Sequence, residues 1–264
     1  MRITWSLAAA ATVIVVASGT VAAVVVTGTQ TGPSTLCGQQ TRSVAGGRYV
    51  VQNNEYNSRG LACITTSGGA DFQVRNSSIS KATDGPPGGY PSIYQGCHWG
   101  TCSSGGLAAT PVQVADLAAG MMTTSWSTSQ PGGGSYYAAY DIWFNQTPAT
   151  TGQPDCTELL VWLDHNGPVQ PFGTQIAAGV SVGGRSYNIW EGQRPTWDTI
   201  SYEMTTATIS VSDLDVGALA QDAVSRGYLS SSCYLISVEA GFGLWQGGAG
   251  LATRSFSVDL KAQP

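Results

Sequence analysis

Five glutamates occur in 264 residues: Glu55, Glu158, Glu191, Glu203 and Glu239. Glu158 opens the segment Glu158–Leu163, which reads ELLVWL. Strand alternation puts Leu159, Val161 and Leu163 on one face and Glu158, Leu160 and Trp162 on the other. The segment Tyr140–Asn145 sorts the same way, with Tyr140, Ile142 and Phe144 opposed to Asp141, Trp143 and Asn145. Near the C-terminus, Val238, Ala240 and Phe242 oppose Glu239, Gly241 and Gly243, with Trp245 following. Each strand thus has one apolar face and one face of carboxylates, amides and indoles. An ordinary solvated face would carry Thr, Ser and Lys. Indoles beside carboxylates are what a saccharide cleft uses, because aromatic rings cover the apolar face of a pyranose and short polar groups meet its hydroxyls. Cleavage of a glycoside with retention needs two carboxyl groups roughly 5–5.5 Å apart. Glu158 is the first candidate, and Asp141 stands near it if their strands are neighbours, where a second carboxyl tunes the first.

The elements that must hold these residues are strands. Beside the three above, GRYVVQN (Gly47–Asn53), ADFQVR (Ala70–Arg75), RSYNIW (Arg185–Trp190) and SFSVDL (Ser255–Leu260) are short and rich in β-formers. Turns such as DGPPGG (Asp84–Gly89) separate them, a pattern of sandwiches and jelly rolls rather than βαβ units. One helix is expected over Asp213–Arg226, with Ser212 as N-cap and Gly227 as the terminating glycine. No linker interrupts the chain after the N-terminal segment, so one domain is expected over 32–264.

Composition narrows the function. Charged residues make up 10 % of the chain against roughly 25 % in an average soluble domain. With a net charge of −5 and no basic run, nucleic-acid binding is excluded. The 8 Trp and 11 Tyr exclude disorder. Only two histidines occur, His98 and His165. With no paired CxxC, nothing calls for a metal; neither a nucleotide nor any other cofactor is indicated, and no protein partner is implied, so a monomer is expected. Arg2 followed by the uncharged stretch Ile3–Val26 reads as a secretory signal, with Val21-Ala22-Ala23 or Val15-Val16-Ala17 as cleavage region; the alternative is an uncleaved anchor. Residues 1–31 are this segment plus a short linker, and the remainder is expected outside the cell. Six cysteines in an exported chain suggest disulfides, with 15 possible connectivities. Cys97 and Cys102 could close a tight loop, and Cys156 and Cys233 are left over.

Taken in order, GRYVVQNNEY (Gly47–Tyr56), YPSIYQGCHWGTC (Tyr90–Cys102), YDIWF (Tyr140–Phe144), TELLVWL (Thr157–Leu163), GPVQPFG (Gly167–Gly173) and SVEAGFGLWQGGAGLA (Ser237–Ala252) resemble glycoside hydrolase family 12, the compact endoglucanases. The resemblance implies an all-β, two-sheet jelly roll with a concave substrate groove and retaining hydrolysis of β-1,4-glucan. By it, Glu158 is the nucleophile and Asp141 its support. Asn54 and Tyr56 line the glycone end, Trp162 lines the groove, and Gly167–Gly173 forms a loop beside it. Trp143 and Trp245 complete the expected sugar-binding set. The resemblance also implies the pairs Cys37–Cys63 and Cys97–Cys102. It fails at one position: the acid/base glutamate is replaced by Gly243. That loss implies weakened hydrolysis, glucan binding without cleavage, or transfer to another acceptor.

Overall fold

The structure, a computed structural model, describes residues 32–261; the expected signal segment lies outside them. In chain order the strands are β1 (Ser34–Cys37), β2 (Thr41–Val44), β3 (Tyr49–Gln52), β4 (Ala62–Thr66), β5 (Phe72–Ser77), β6 (Ser92–His98), β7 (Thr101–Cys102), β8 (Val112–Gln113) and β9 (Met122–Ser129). They continue with β10 (Ser135–Asn145), β11 (Thr157–Asn166), β12 (Thr174–Val182), β13 (Arg185–Gln193), β14 (Asp198–Met204), β15 (Ser210–Asp215), β16 (Tyr234–Gln246) and β17 (Ala252–Leu260). All seven expected strands are present. Among the unforeseen ones, β9 (MTTSWSTS) is rich in threonine and serine, and β12 (TQIAAGVSV) has two alanines and a glycine at its centre, so the local signal of each is weak until a partner strand pairs it.

Six strands form one sheet in the order β1-β4-β5-β17-β9-β15. The larger sheet runs β12-β13-β14-β11-β10-β16-β6-β3-β2, with β7 and β8 attached to β6 and β16. Every pairing is antiparallel except β11 with β14. The main core lies between the sheets. It takes the apolar face of each long strand: Tyr140, Ile142 and Phe144 from β10, Leu159, Val161 and Leu163 from β11, Val238, Ala240 and Phe242 from β16. Burial of such side chains at about 1.5–3 kcal/mol each fixes which face turns inward. The opposite faces then share the other side of the large sheet, where a second, smaller cluster forms from Tyr90, Tyr137, Ala139, Leu160, Trp162, Val169 and Trp245.

The single α-helix among the described residues, α1, is Val216–Ser225, later than expected. Ser210–Asp215 is drawn into β15 by pairing with β9, so the N-cap is Asp215, whose Oδ1 accepts from the Ala218 N–H at 2.9 Å; Ser212 does not cap it. Gly227 follows the helix at φ +82°, the left-handed geometry expected of a terminating glycine. Disulfides join Cys37–Cys63, Cys97–Cys102 and Cys156–Cys233.

Candidate active site

Three adjacent strands carry the site. On β10, Asp141 lies opposite Leu160 of β11 and Glu239 of β16, while Trp143 lies opposite Glu158 and Ser237. Asp141 and Glu158 are therefore diagonal neighbours on one face, a spacing of about 7–8 Å between backbones. Two irregularities in the ladders of β10, between Ala138 and Ala139 and between Trp143 and Phe144, flank Asp141. Such bulges bend a strand and re-aim its side chains.

Glu158 is 9 % exposed. Its Oε2 accepts from Thr199 Oγ1 at 2.6 Å and from Trp197 Nε1 at 3.1 Å, and Arg194 Nε stands 3.9 Å away. Hydrogen bonds to a charged group are worth about 1.5–3 kcal/mol each, so Glu158 is held in a single orientation. All three partners meet Oε2; Oε1 is engaged by none of the described residues. Thr199 reaches Glu158 because β14 pairs with β11 at that register. Trp197 and Arg194 come from the turn between β13 and β14, closed by Arg194 N–H to the Trp197 carbonyl at 3.0 Å. Arg194 also lies 4.1 Å over the ring of Phe172, which ties this turn to the Gly167–Gly173 loop.

Asp141 is 6 % exposed, and its Oδ1 is buried without a protein hydrogen-bond partner. Burial raises its carboxyl well above the usual carboxylate range, and the charges of Glu158 and Glu239 raise it further. Glu239 is fully buried. It faces His98 Nδ1 at 2.8 Å and accepts from Gln52 Nε2 at 3.2 Å, Ser237 Oγ at 3.3 Å and Ser92 Oγ at 3.4 Å. It is thus engaged from four sides, opposite Asp141 and four residues from Gly243.

The expected sugar-binding residues divide by exposure. Trp143, Trp162 and Trp245 are nearly covered, at 3 %, 2 % and 4 %. Trp162 stacks under Tyr137 at 4.3 Å, and Trp245 donates Nε1–H to the Gly85 carbonyl at 2.7 Å. The exposed rings are Tyr56, Trp99 and Phe172. Tyr56 is 49 % exposed; desolvation, then the charges of Glu158 and Asp141, raise its phenol pKa. Asn54, two residues earlier, adopts φ +43°, a left-handed geometry that Asn tolerates. Trp99, also left-handed at φ +42°, sits at the tip of the Cys97–Cys102 loop. It meets Trp143 edge-on at 5.2 Å, and Trp143 meets Trp197 at 5.4 Å. Sequence reasoning missed Trp99, Trp197, Thr199, Arg194 and Tyr137. Trp99 had a signal, an indole between two cysteines five apart. The others had none, because their roles depend on register with strands far away in the chain. Beyond Trp162, a separate depression of about 280 Å³ is lined by Asp164, His165, Asn188 and Glu203.

The described chain matches the model of Glycosyl hydrolase family 12 over residues 47–261. It is similar to "Probable cellulase Cel12b" of Mycobacterium tuberculosis (strain ATCC 25618 / H37Rv), with 31 % identity over 137 residues, 52 % of this chain and 89 % of that protein. Among solved structures, a metagenome-derived glycoside hydrolase family 12 endoglucanase superposes with TM-score 0.81 at 36 % identity, covering 89 % of this chain and all of that one. Endoglucanase cel12A from Rhodothermus marinus superposes with TM-score 0.80 at 38 % identity, covering 86 % and 99 %.

Proposed function

This chain belongs to glycosyl hydrolase family 12 and is a glycoside hydrolase of the cellulase type, and from that premise we propose that it is a secreted, retaining endo-β-1,4-glucanase with Glu158 as nucleophile. The observation that carries this reading is the holding of Glu158: three partners on Oε2, a free Oε1, and Asp141 on the next strand. In this reading Oε1 attacks the anomeric carbon, and the glycosyl ester that forms is then hydrolysed, with two inversions giving net retention. Asp141, its proton held by burial and by the flanking charges of Glu158 and Glu239, stands neutral on the next strand and does not compete with the nucleophile as a second anion. Asn54, Tyr56, Trp143, Trp162 and Trp245 shape the groove for the glucan chain. Three disulfides and the N-terminal apolar run support export.

A carboxyl is absent at position 243, so turnover of unactivated glucan is expected to be low. General acid catalysis typically contributes 10²–10⁴-fold. A dinitrophenyl β-cellobioside, whose leaving group needs no proton, is cleaved far better relative to polymer than by a relative with both carboxyls. Glu158→Gln abolishes dinitrophenol release while retardation on a β-glucan affinity gel persists. Dinitrophenol release that survives Glu158→Gln moves the nucleophile elsewhere. A second reading, glucan binding without cleavage, is favoured by Gly243 alone; retardation on the gel without release from either substrate selects it.

A further inference from the structure

Gly243 leaves no empty space. It lies directly opposite Tyr137 in the β10–β16 ladder. A Cβ at position 243 would stand 2.2 Å from Tyr137 Cε1 and 2.4 Å from Cζ. The hydroxyl-bearing edge of the phenol therefore covers the spot where any side chain at 243 would begin. The ring is gripped: Trp162 stacks on it at 4.3 Å with planes 27° apart, Trp245 meets it edge-on at 5.6 Å, and Tyr90 lies at 6.1 Å. Among the described residues Tyr137 Oη has no hydrogen-bond partner, and the residue is 8 % exposed. Burial holds the proton on this phenol, reinforced by Tyr56, Asp141 and Glu158 and opposed by Arg194. Those four are Glu158 itself with Asp141, Arg194 and Tyr56, so the hydroxyl feels the charge of the nucleophile's site.

We propose that Tyr137 Oη hydrogen-bonds the glycosidic oxygen and delivers its proton there, in the place of the absent carboxyl at position 243. The inference rests on the reading of Glu158 as nucleophile. The first step forms the bond from Glu158 to the anomeric carbon and breaks the bond from that carbon to the glycosidic oxygen. The released electron pair stays on the oxygen, which takes the Tyr137 proton and leaves a phenolate. In the second step water attacks the anomeric carbon, the ester to Glu158 breaks, and the phenolate takes the water's proton. A phenol, ordinarily near 10 against 4.3 for a glutamic acid, is the weaker acid, so cleavage of glucan by this route is expected to be slow.

The test compares wild type, Tyr137→Phe and Glu158→Gln on cellopentaose and on dinitrophenyl β-cellobioside. Tyr137→Phe keeps the ring and removes only the hydroxyl. The expected result is a loss of about 100-fold or more in kcat/KM on cellopentaose with less than about threefold change on the activated glycoside. A merely structural role would lower both equally, and that result overturns the proposal. So does unchanged cellopentaose cleavage by Tyr137→Phe, or a wild type that releases dinitrophenol yet leaves cellopentaose intact. If wild type releases no dinitrophenol, or Glu158→Gln still does, the nucleophile reading itself falls, and the proposal with it.

Discussion

Asp141 is buried between two other carboxyl groups, Glu158 on the diagonal and Glu239 directly opposite. Its raised pKa, caused first by burial and then by those charges, means that the folded protein holds a proton which the unfolded chain has already released. Stability therefore falls as pH rises from the ordinary carboxylate value toward the raised one, since the native state binds more protons in that window. Asp141→Asn removes this liability. Its melting temperature should rise relative to wild type on going from about pH 4 to about pH 8, measured by thermal scans at both; a difference that does not change with pH refutes the assignment. At the same scale, restoring a carboxyl at Gly243 is not a single substitution. With Tyr137 in place, the new Cβ meets ring carbons at 2.2 and 2.4 Å. Gly243→Glu alone should cost about 1–3 kcal/mol, as overpacking does, by denaturant titration. Gly243→Glu with Tyr137→Ala should recover part of that loss and gain activity on glucan.

β10 organises the site. Its eleven residues are all buried, one face in the main core and the other on the side of the large sheet that carries Asp141 and Trp143, and its neighbours β11 and β16 carry Glu158 and Glu239. Those two strands begin beside the cysteines of one disulfide, Cys156–Cys233, separated by 77 residues. Closing a loop of that length removes about 4.5 kcal/mol of unfolded-state entropy in the simplest chain model. Replacing both cysteines by Ala should lower stability by up to that amount. The smaller loop, Cys97–Cys102, spans only 5 positions, so its replacement costs less globally. Its effect falls on Trp99 and on His98, which faces Glu239 at 2.8 Å. Weaker glucan retention with a nearly unchanged melting temperature is the expected outcome for the Cys97/Cys102 double variant.

At the scale of the whole molecule, the low charge content has a physical reason. A neutral polysaccharide offers no phosphate or carboxylate to attract, so its binding rests on ring faces and hydrogen bonds. Retardation on β-glucan should therefore change less than about twofold between 0.05 and 0.5 M salt, because screening acts on charges; a steep salt dependence would contradict this. Much of this architecture is readable from the chain. Alternation with period 2 sorted β10, β11 and β16 into a core face and a face carrying the candidate site, since burial drives Ile142, Phe144, Leu159, Val161, Val238 and Phe242 inward whatever their partners are. The helix start was misjudged because Ser212 is a good local cap, yet pairing of Val211 and Leu214 with β9 carries it into β15, in the irregularity between those two pairs. Local sequence thus determined the β class, the buried faces, the side on which Glu158 and Asp141 stand, and the lack of a carboxyl at position 243. Tertiary structure alone decided that Trp197 and Thr199 hold Glu158, that Glu239 lies opposite Asp141, and that the ring of Tyr137 fills the space before Gly243. Those contacts join residues from 39 to 106 positions apart, and they depend on strand register and sheet order, which no local pattern encodes.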